Sequence, residues 1–272
     1  MKLLDGNELR DFIKQRQSQQ TRALSQGWKV VPRLAIIQTG DLPVSTVYVR
    51  AKQAYGEDIW LTVDVHNVEQ SAVAALIQTL NADELVHGII VQLPLTDPTE
   101  TDAIVDLIAP EKDVDGLGKN AVYVSATATA IDWLLAGYNV QLKERHIVIV
   151  GNGRLVGAPL AKLWATTGYD VTVLDDRTED LAAELRNAQV IVTATGVSDL
   201  ITEHMIQPNA VVVDAGAATE DGKILGDVAA SVRERQDITI TPEKGGVGPL
   251  TVAALFDNVI NAAKKVAENR EA

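Results

Sequence analysis

The segment His146-Ile-Val-Ile-Val150 runs straight into a turn containing Gly151, Gly153 and Gly157. An apolar, β-branched run of this length reads as a buried strand. A strand that ends in glycines and opens a helix is a strong constraint on the fold. The turn must be tight, the backbone must approach a pyrophosphate, and the helix must pack close to its strand. The helix N-terminus then offers unpaired N–H groups to phosphate oxygens. The spacing, Gly151-Asn152-Gly153 and then Gly157, is one residue longer than the common dinucleotide fingerprint. A second strand, 171–174, ends at Asp175, about 20 residues on, where a carboxylate can hold a ribose 2′-hydroxyl. A plain strand–helix junction would need no such acid, so Asp175 favours a dinucleotide. Asp176 adds a second carboxylate, and the pair would repel a 2′-phosphate. Arg177 and Arg154 are close enough in sequence to soften that repulsion, and one aspartate could instead cap a helix at 179–187. The residues favour NAD over NADP.

The same alternation runs through the whole chain. A helix at 7–26 precedes a strand at 34–38. A helix from about Ser45, a strand at 59–65, a helix at 71–81, a strand at 88–93 and a helix at 99–109 follow. After a break near 118–130 the series restarts with strand 146–150, helix 156–167 and strand 171–174. Helix 179–187 and strands 190–194, 210–214 and 237–241 complete it. Such a series predicts mainly parallel sheets covered by helices, an α/β chain in two domains. A last helix, 251–267, carries an apolar stripe from Val252 to Val266 that must pack somewhere. A return to the first domain would give one domain of 1–120 plus 251–272 and a dinucleotide-binding domain of 121–250.

Composition narrows the classes of partner. The chain has 272 residues and a net charge of −13. That surplus argues against nucleic acid, which needs Lys and Arg in excess, and against an anionic membrane surface. Cysteine is absent, which excludes disulfides, thiolate metal sites and a cysteine nucleophile. The N-terminus carries a charge at its second residue and lacks the apolar stretch of a signal peptide. No apolar segment approaches the ~20 residues of a membrane helix. These features suit the cytoplasm.

Several polar residues sit where α/β sheets bind ligands. Tyr48 and Lys52 are four apart on a predicted helix and share a face. Gln92 lies at the end of an apolar strand, where a polar side chain needs a partner. Asp113 and Asp115 lie in the following loop. Two carboxylates without histidine or further acids make a poor metal site, so no metal is expected.

Taken together, the motifs resemble one family. Ser45-Thr-Val-Tyr48-Val-Arg-Ala-Lys52, Gly88-Ile-Ile-Val-Gln92-Leu-Pro-Leu95 and Pro110-Glu-Lys-Asp-Val-Asp-Gly116 occur in the order of the methylenetetrahydrofolate dehydrogenase/cyclohydrolase family. Gly151-x-Gly-x-x-Val-Gly-Ala-Pro159, Gly226-Asp-Val228 and Gly245-Gly-Val-Gly-Pro-Leu-Thr251 continue that order. The resemblance covers about residues 5–260. It implies an N-terminal folate-binding catalytic domain and a Rossmann-like domain, with a cleft between them. It implies oxidation of 5,10-methylenetetrahydrofolate with NAD(P), then hydrolysis of the 5,10-methenyl form to 10-formyltetrahydrofolate. By resemblance, Lys52 is the acid–base group of the hydrolysis and Gln92 orients it. Tyr48 is the platform for the folate ring, Asp115 pairs with the pterin N–H donors, and Gly246 to Pro249 wall the pocket. Gly151, Asn152, Gly153, Gly157, Asp175 and Thr127 fall to the cofactor.

The chain departs from the family pattern at Lys244, where Pro is usual, and at Asn152-Gly153, where an Arg-Ser type of pair is usual. The missing Arg agrees with Asp175 in favouring NAD. The segment between Asn120 and Ile131 retains only Thr127 of a Pro-Cys-Thr-Pro-type stretch. Alternatives are a dehydrogenase without hydrolytic activity, or a folate- or nucleotide-binding relative without turnover. Retention of Lys52 and Gln92 speaks against the first. The family implies a homodimer.

Overall fold

The computed structural model describes residues 2–40, 43–220 and 223–271. In chain order the first elements are β1 (Lys2–Leu3), α1 (Gly6–Trp28), β2 (Arg33–Gln38), α2 (Pro43–Asp58), β3 (Thr62–Asn67), α3 (Gln70–Ala82), β4 (Gly88–Val91), α4 (Thr101–Val105) and α5 (Ala126–Gly137). They are followed by β5 (Ile147–Val150), α6 (Gly157–Thr166), β6 (Val171–Leu174), α7 (Leu181–Arg186), β7 (Val190–Thr193), β8 (Val211–Asp214), β9 (Ala218–Glu220), β10 (Lys223–Leu225), β11 (Thr239–Ile240) and α8 (Val247–Glu271). The chain forms two compact units, one of Met1–Arg10 with Thr127–Thr251 and one of Asp11–Ala126 with Val252–Ala272.

The unit of Asp11–Ala126 and Val252–Ala272 is built on a parallel sheet in the order β3-β2-β4. Side chains alternate across it. Ala35, Ile37, Ile89 and Val91 pack with Val73 and Ile77 of α3 and Ile104 of α4. Tyr55 of α2 stacks on Phe256 of α8, with ring centroids 5.1 Å apart. A buried polar network ties the same helices to α1. The Tyr55 hydroxyl donates to Gln17 Oε1 at 2.8 Å, and Gln17 Nε2 donates to the Ala253 carbonyl at 2.8 Å and to Asp257 Oδ1 at 3.2 Å. These bonds fix the axial position of α2, the helix that carries Tyr48 and Lys52.

The other unit carries a six-stranded sheet in the order β1-β11-β8-β7-β5-β6, parallel throughout. Its core includes Val148, Val150, Ile191, Val212 and Ile240. Residues 1–10 belong here rather than with 11–126, a difference from the sequence expectation. Two short contacts explain it. Lys2 and Leu3 pair with Thr239 and Ile240, and the Gly6 N–H donates to the Gly245 carbonyl at 2.8 Å. A two-residue edge strand gives almost no periodic signal.

Other boundaries moved for local reasons. The strand read at 59–65 begins at Thr62, because the Ile59 and Leu61 N–H groups bond back to the end of α2 and Trp60 has φ +63°. The helix read at 99–109 is a 3₁₀ turn, Pro98–Glu100, and the short α4. The expected break contains the start of α5, whose Ala126, Ala128 and Ala130 are fully buried. The β9–β10 hairpin had no reading in the sequence.

The N-terminal contact can be checked at Gly6. A Cβ there would fall 1.8 Å from the Gly246 carbonyl oxygen. Gly6→Ala must push apart two backbone segments and is expected to cost about 1–3 kcal/mol. Thermal unfolding reads the loss as a lowered Tm.

Candidate active site

Lys52, Gln92 and Asp115 meet at the C-terminal ends of the three-stranded sheet, where open α/β sheets bind ligands. The Lys52 Nζ donates to Gln92 Oε1 at 2.7 Å. The Gln92 amide cannot turn freely, because its Nε2 donates to the Leu93 carbonyl at 3.0 Å. Its backbone N–H bonds to the Ile37 carbonyl, which continues the β2–β4 ladder one residue past β4. Gln92 therefore presents a fixed acceptor to the lysine.

Lys52 keeps some accessible surface, but the protein surrounds its ammonium deeply. Burial pulls its pKa below the ordinary lysine value, while the nearby Asp115 carboxylate pulls it back up. The same burial raises the Asp115 pKa, the Lys52 charge opposes that rise, and Asp113 adds to it. Tyr48, one helical turn before Lys52, is part-exposed, and burial raises its phenol pKa.

The loop that holds Asp115 is built by its neighbours. Asp113 is buried, and its carboxylate accepts the Gly116 N–H at 3.0 Å and the Gly118 N–H at 2.7 Å. Gly116 has φ +70°, and a Cβ there would come within 2.7 Å of the Ser125 nitrogen and the Tyr123 oxygen. Lys112 closes the other side. Its ammonium donates to the Leu80, Asn81 and Asp83 carbonyls at 2.7–2.9 Å, capping the C-terminal end of α3. Sequence reading gave Asp113 and Lys112 no separate role. In Lys112-Asp-Val-Asp-Gly116 the first two charged residues hold the loop, and Asp115 faces the lysine. Among the described residues no cluster of three His, Cys, Asp or Glu side chains could hold a metal.

The glycine turn lies in the six-stranded unit. The Gly151 N–H donates to the Leu174 carbonyl at 2.8 Å, and Gly151 has φ +98°. A Cβ on Gly151 would sit 2.6 Å from the Ala194 oxygen, and one on Gly157 would sit 1.8 Å from the Gly151 oxygen. Those two glycines serve close approach of backbone to backbone. Gly153 meets nothing within 4 Å, and Asn152 beside it is exposed. The chain leaves β5 for β6 on one side and takes up β7 on the other. Open α/β sheets bind ligands at such a switch point, and residues 194–197, which sequence reading did not single out, follow β7 there.

Asp175 directly follows β6, and its carboxylate binds Arg177 through the backbone N–H at 3.0 Å and the guanidinium at 2.5 Å. That arginine holds the carboxyl below its usual pKa range. The cap of α7 is Asp180, which accepts the Ala183 N–H at 2.9 Å, not Asp175 or Asp176. Thr127, in the first turn of α5, is half-buried. Gly246 is buried just before α8 and Pro249 lies in its first turn. All these residues belong to the six-stranded unit, while Tyr48, Lys52, Gln92 and Asp115 belong to the other.

Residues 4–115 match the tetrahydrofolate dehydrogenase/cyclohydrolase catalytic domain, and residues 125–267 match the NAD(P)-binding domain of the same family. The chain belongs to the tetrahydrofolate dehydrogenase/cyclohydrolase family. It is 36% identical to the bifunctional protein FolD of Exiguobacterium sibiricum over 275 residues, 96% of this chain and 99% of that one. The bifunctional FolD methylenetetrahydrofolate dehydrogenase/cyclohydrolase of Campylobacter jejuni superposes with a TM-score of 0.92 at 35% identity, covering 97% and 99% of the two chains. The Trypanosoma brucei FolD, solved with NADP and an inhibitor, gives 0.90 at 30% identity over 97% of each chain. The family's two-domain α/β fold is present, with the NAD(P)-binding domain on the six-stranded sheet. No helix is long and apolar enough to cross a membrane among the described residues.

The Asp113 turn makes a checkable claim. An amide has one acceptor oxygen where the carboxylate has two. Asp113→Asn must leave one of the Gly116 and Gly118 N–H groups facing an NH₂ group. A loss of about 1–3 kcal/mol is expected, read as a lowered urea midpoint.

Proposed function

We propose that Lys52, oriented by Gln92, moves the protons in the hydrolytic half-reaction of this bifunctional dehydrogenase and cyclohydrolase. The enzyme oxidises 5,10-methylenetetrahydrofolate to the 5,10-methenyl form with NAD(P) and hydrolyses that cation to 10-formyltetrahydrofolate. The observation that carries the proposal is the 2.7 Å bond from a lysine of lowered pKa to an amide that is itself held in place.

The two steps ask for different things. Hydride leaves the bridge carbon as the folate nitrogens take up the positive charge, so positioning matters more than acid–base help. When bound, NAD(P) supplies the hydride acceptor. Hydrolysis requires water to attack the bridge carbon of the methenyl cation. A neutral Lys52 amine can accept one proton from the attacking water and return it to N5 as the carbon–N5 bond breaks, and the remaining hydroxyl proton leaves to solvent as the formyl C=O forms. Burial already favours the neutral amine, and a bound cation would lower its pKa further. Asp115 supports the ammonium between these transfers. Its proposed contact is with the pterin N–H donors, with Tyr48 as the ring platform; Gly246 and Pro249 are proposed as substrate-binding residues. Gly151, Asn152, Gly153, Gly157 and Thr127 are the proposed cofactor residues. The protein is proposed to act in the cytoplasm as a homodimer.

Lys52→Ala is expected to keep hydride transfer at least in part and to lower methenyl hydrolysis about a hundredfold or more. Parental hydrolysis in that variant would remove Lys52 from the mechanism. The sign of the pH effect follows from the lowered pKa. The neutral amine accumulates as pH rises through that pKa, so hydrolysis should climb on a limb below the ordinary lysine value. Gln92→Glu adds a carboxylate that favours the ammonium, and the limb should move up by about one pH unit.

For the cofactor, Asp175 and Asp176 support NAD. A carboxylate accepts ribose hydroxyls and repels a 2′-phosphate, and no arginine directly follows Gly151. Arg177 is already engaged by Asp175. Steady-state rates with each nucleotide should give a kcat/KM for NAD about tenfold above that for NADP. A preference for NADP would overturn this reading of Asp175.

A further inference from the structure

We propose that Asp227 is a positioning residue for the nicotinamide dinucleotide, holding the backbone of residues 195–196 as one wall of the crevice between β5 and β7. The inference rests on the dinucleotide placement proposed above.

Asp227 is fully buried and forms part of Gly226-Asp-Val228, a motif for which the mechanism has no use. Its Oδ2 accepts the Thr193 hydroxyl at 2.5 Å and the Thr195 N–H at 2.6 Å, and its Oδ1 accepts the Gly196 N–H at 2.9 Å. All three donors sit at or just past the C-terminal end of β7. On the neighbouring turn, a Cβ on Gly151 would meet the Ala194 carbonyl at 2.6 Å and Thr195 Cγ2 at 3.2 Å. The loop that Asp227 grips is therefore the loop against which the glycine turn is packed.

A second carboxylate keeps Asp227 in place. Asp214 Oδ1 accepts the Asp227 N–H at 3.0 Å, and its Oδ2 pairs with Arg233 at 2.6 Å. Arg233 also donates to the Thr241 carbonyl at 2.6 Å. The fit is close: a Cβ on Gly216 would fall 2.1 Å from Asp227 Oδ1, and one on Gly226 would fall 2.0 Å from Asp214 Oδ2. The carboxylate itself is fully buried, so its influence on the cofactor passes through the loop.

The three donors are not equivalent. A threonine hydroxyl can rotate to donate or accept, but a backbone N–H only donates. Asp227→Asn must leave one of the Thr195 and Gly196 N–H groups facing an amide nitrogen. Thr193→Val removes the hydroxyl and leaves both backbone bonds to the carboxylate.

Hydrolysis of the methenyl compound consumes no nucleotide and serves as an internal check on folding. Asp227→Asn is expected to raise KM for NAD(P)⁺ about tenfold, with kcat within about threefold and hydrolysis within about twofold of the parent. Thr193→Val is expected to lower the urea midpoint and leave that KM unchanged. An unchanged KM in Asp227→Asn, or an equal rise in Thr193→Val, would overturn the proposal. Should Asp227→Asn lose both activities, Thr195→Val takes its place. That change removes only the bond from the Val197 N–H to Thr195 Oγ1, 3.2 Å long, and should raise KM about threefold; a parental KM there also overturns the proposal. Fluorescence titration of the parent with NAD⁺ and NADP⁺ separates the two levels. No binding to the parent sinks the placement and the proposal together, whereas parental binding with unaltered variants sinks the proposal alone.

Discussion

Loops at the ends of parallel strands present N–H groups that no neighbouring strand can accept, and in this chain buried carboxylates accept them. Asp113 takes two such groups at 116 and 118, and Asp227 takes two at 195 and 196. Asp214 takes those of Gly216, Asp227 and Val228. A carboxylate can satisfy several donors at once, and charge-assisted bonds to it are stronger than neutral ones. The negative balance of −13 is therefore more than a matter of surface. Part of it holds the loops at the ends of two sheets, the place where open α/β sheets bind ligands.

That arrangement explains why the one buried amine at the site is unusual. Lys112 is fully engaged by three carbonyls and serves the fold. Lys52 has one neutral acceptor, Gln92, and a carboxylate nearby. A carboxylate in place of Gln92 would favour the ammonium and oppose release of its proton. A purely apolar surround would release the proton and leave the side chain without orientation. An amide pinned through its own Nε2 supplies direction without charge.

The strand pattern was readable because strand interiors are apolar and short. The readings at 171–174 and 190–194 fall within one residue of β6 and β7. What periodicity could not carry was any feature set by a distant partner. β1 exists only because Thr239 and Ile240 lie beside it, and Asp227 finds its donors more than thirty residues away in the chain. At the site, Tyr48 and Lys52 could be placed on one helix face, and Gln92 at a strand end, from spacing alone. Their roles came from resemblance, because spacing within a helix says nothing about which strand end it meets. Lys112 and Asp113 were visible as part of a motif, yet residue type could not separate a loop-builder from a residue that faces the lysine.

The departures from the family pattern can be weighed in the same terms. The segment before Ile131 lacks the Pro-Cys-Thr-Pro-type stretch, but it is not loosely packed. Ser125, Ala126, Ala128 and Ala130 are buried, and the Ala126 N–H reaches the Asp115 carbonyl at 3.4 Å. Proline would begin a helix by fixing φ; alanine begins it by helix propensity and by fitting where a larger side chain would clash. Asn258 secures the preceding strand of chain by donating to the Val114 and Val124 carbonyls. The backbone that flanks Asp115 is thus restrained from two directions without the missing prolines. The loop that carries Asp115 is held by bonds from residues 126 and 258, whatever residues stand between Asn120 and Ile131.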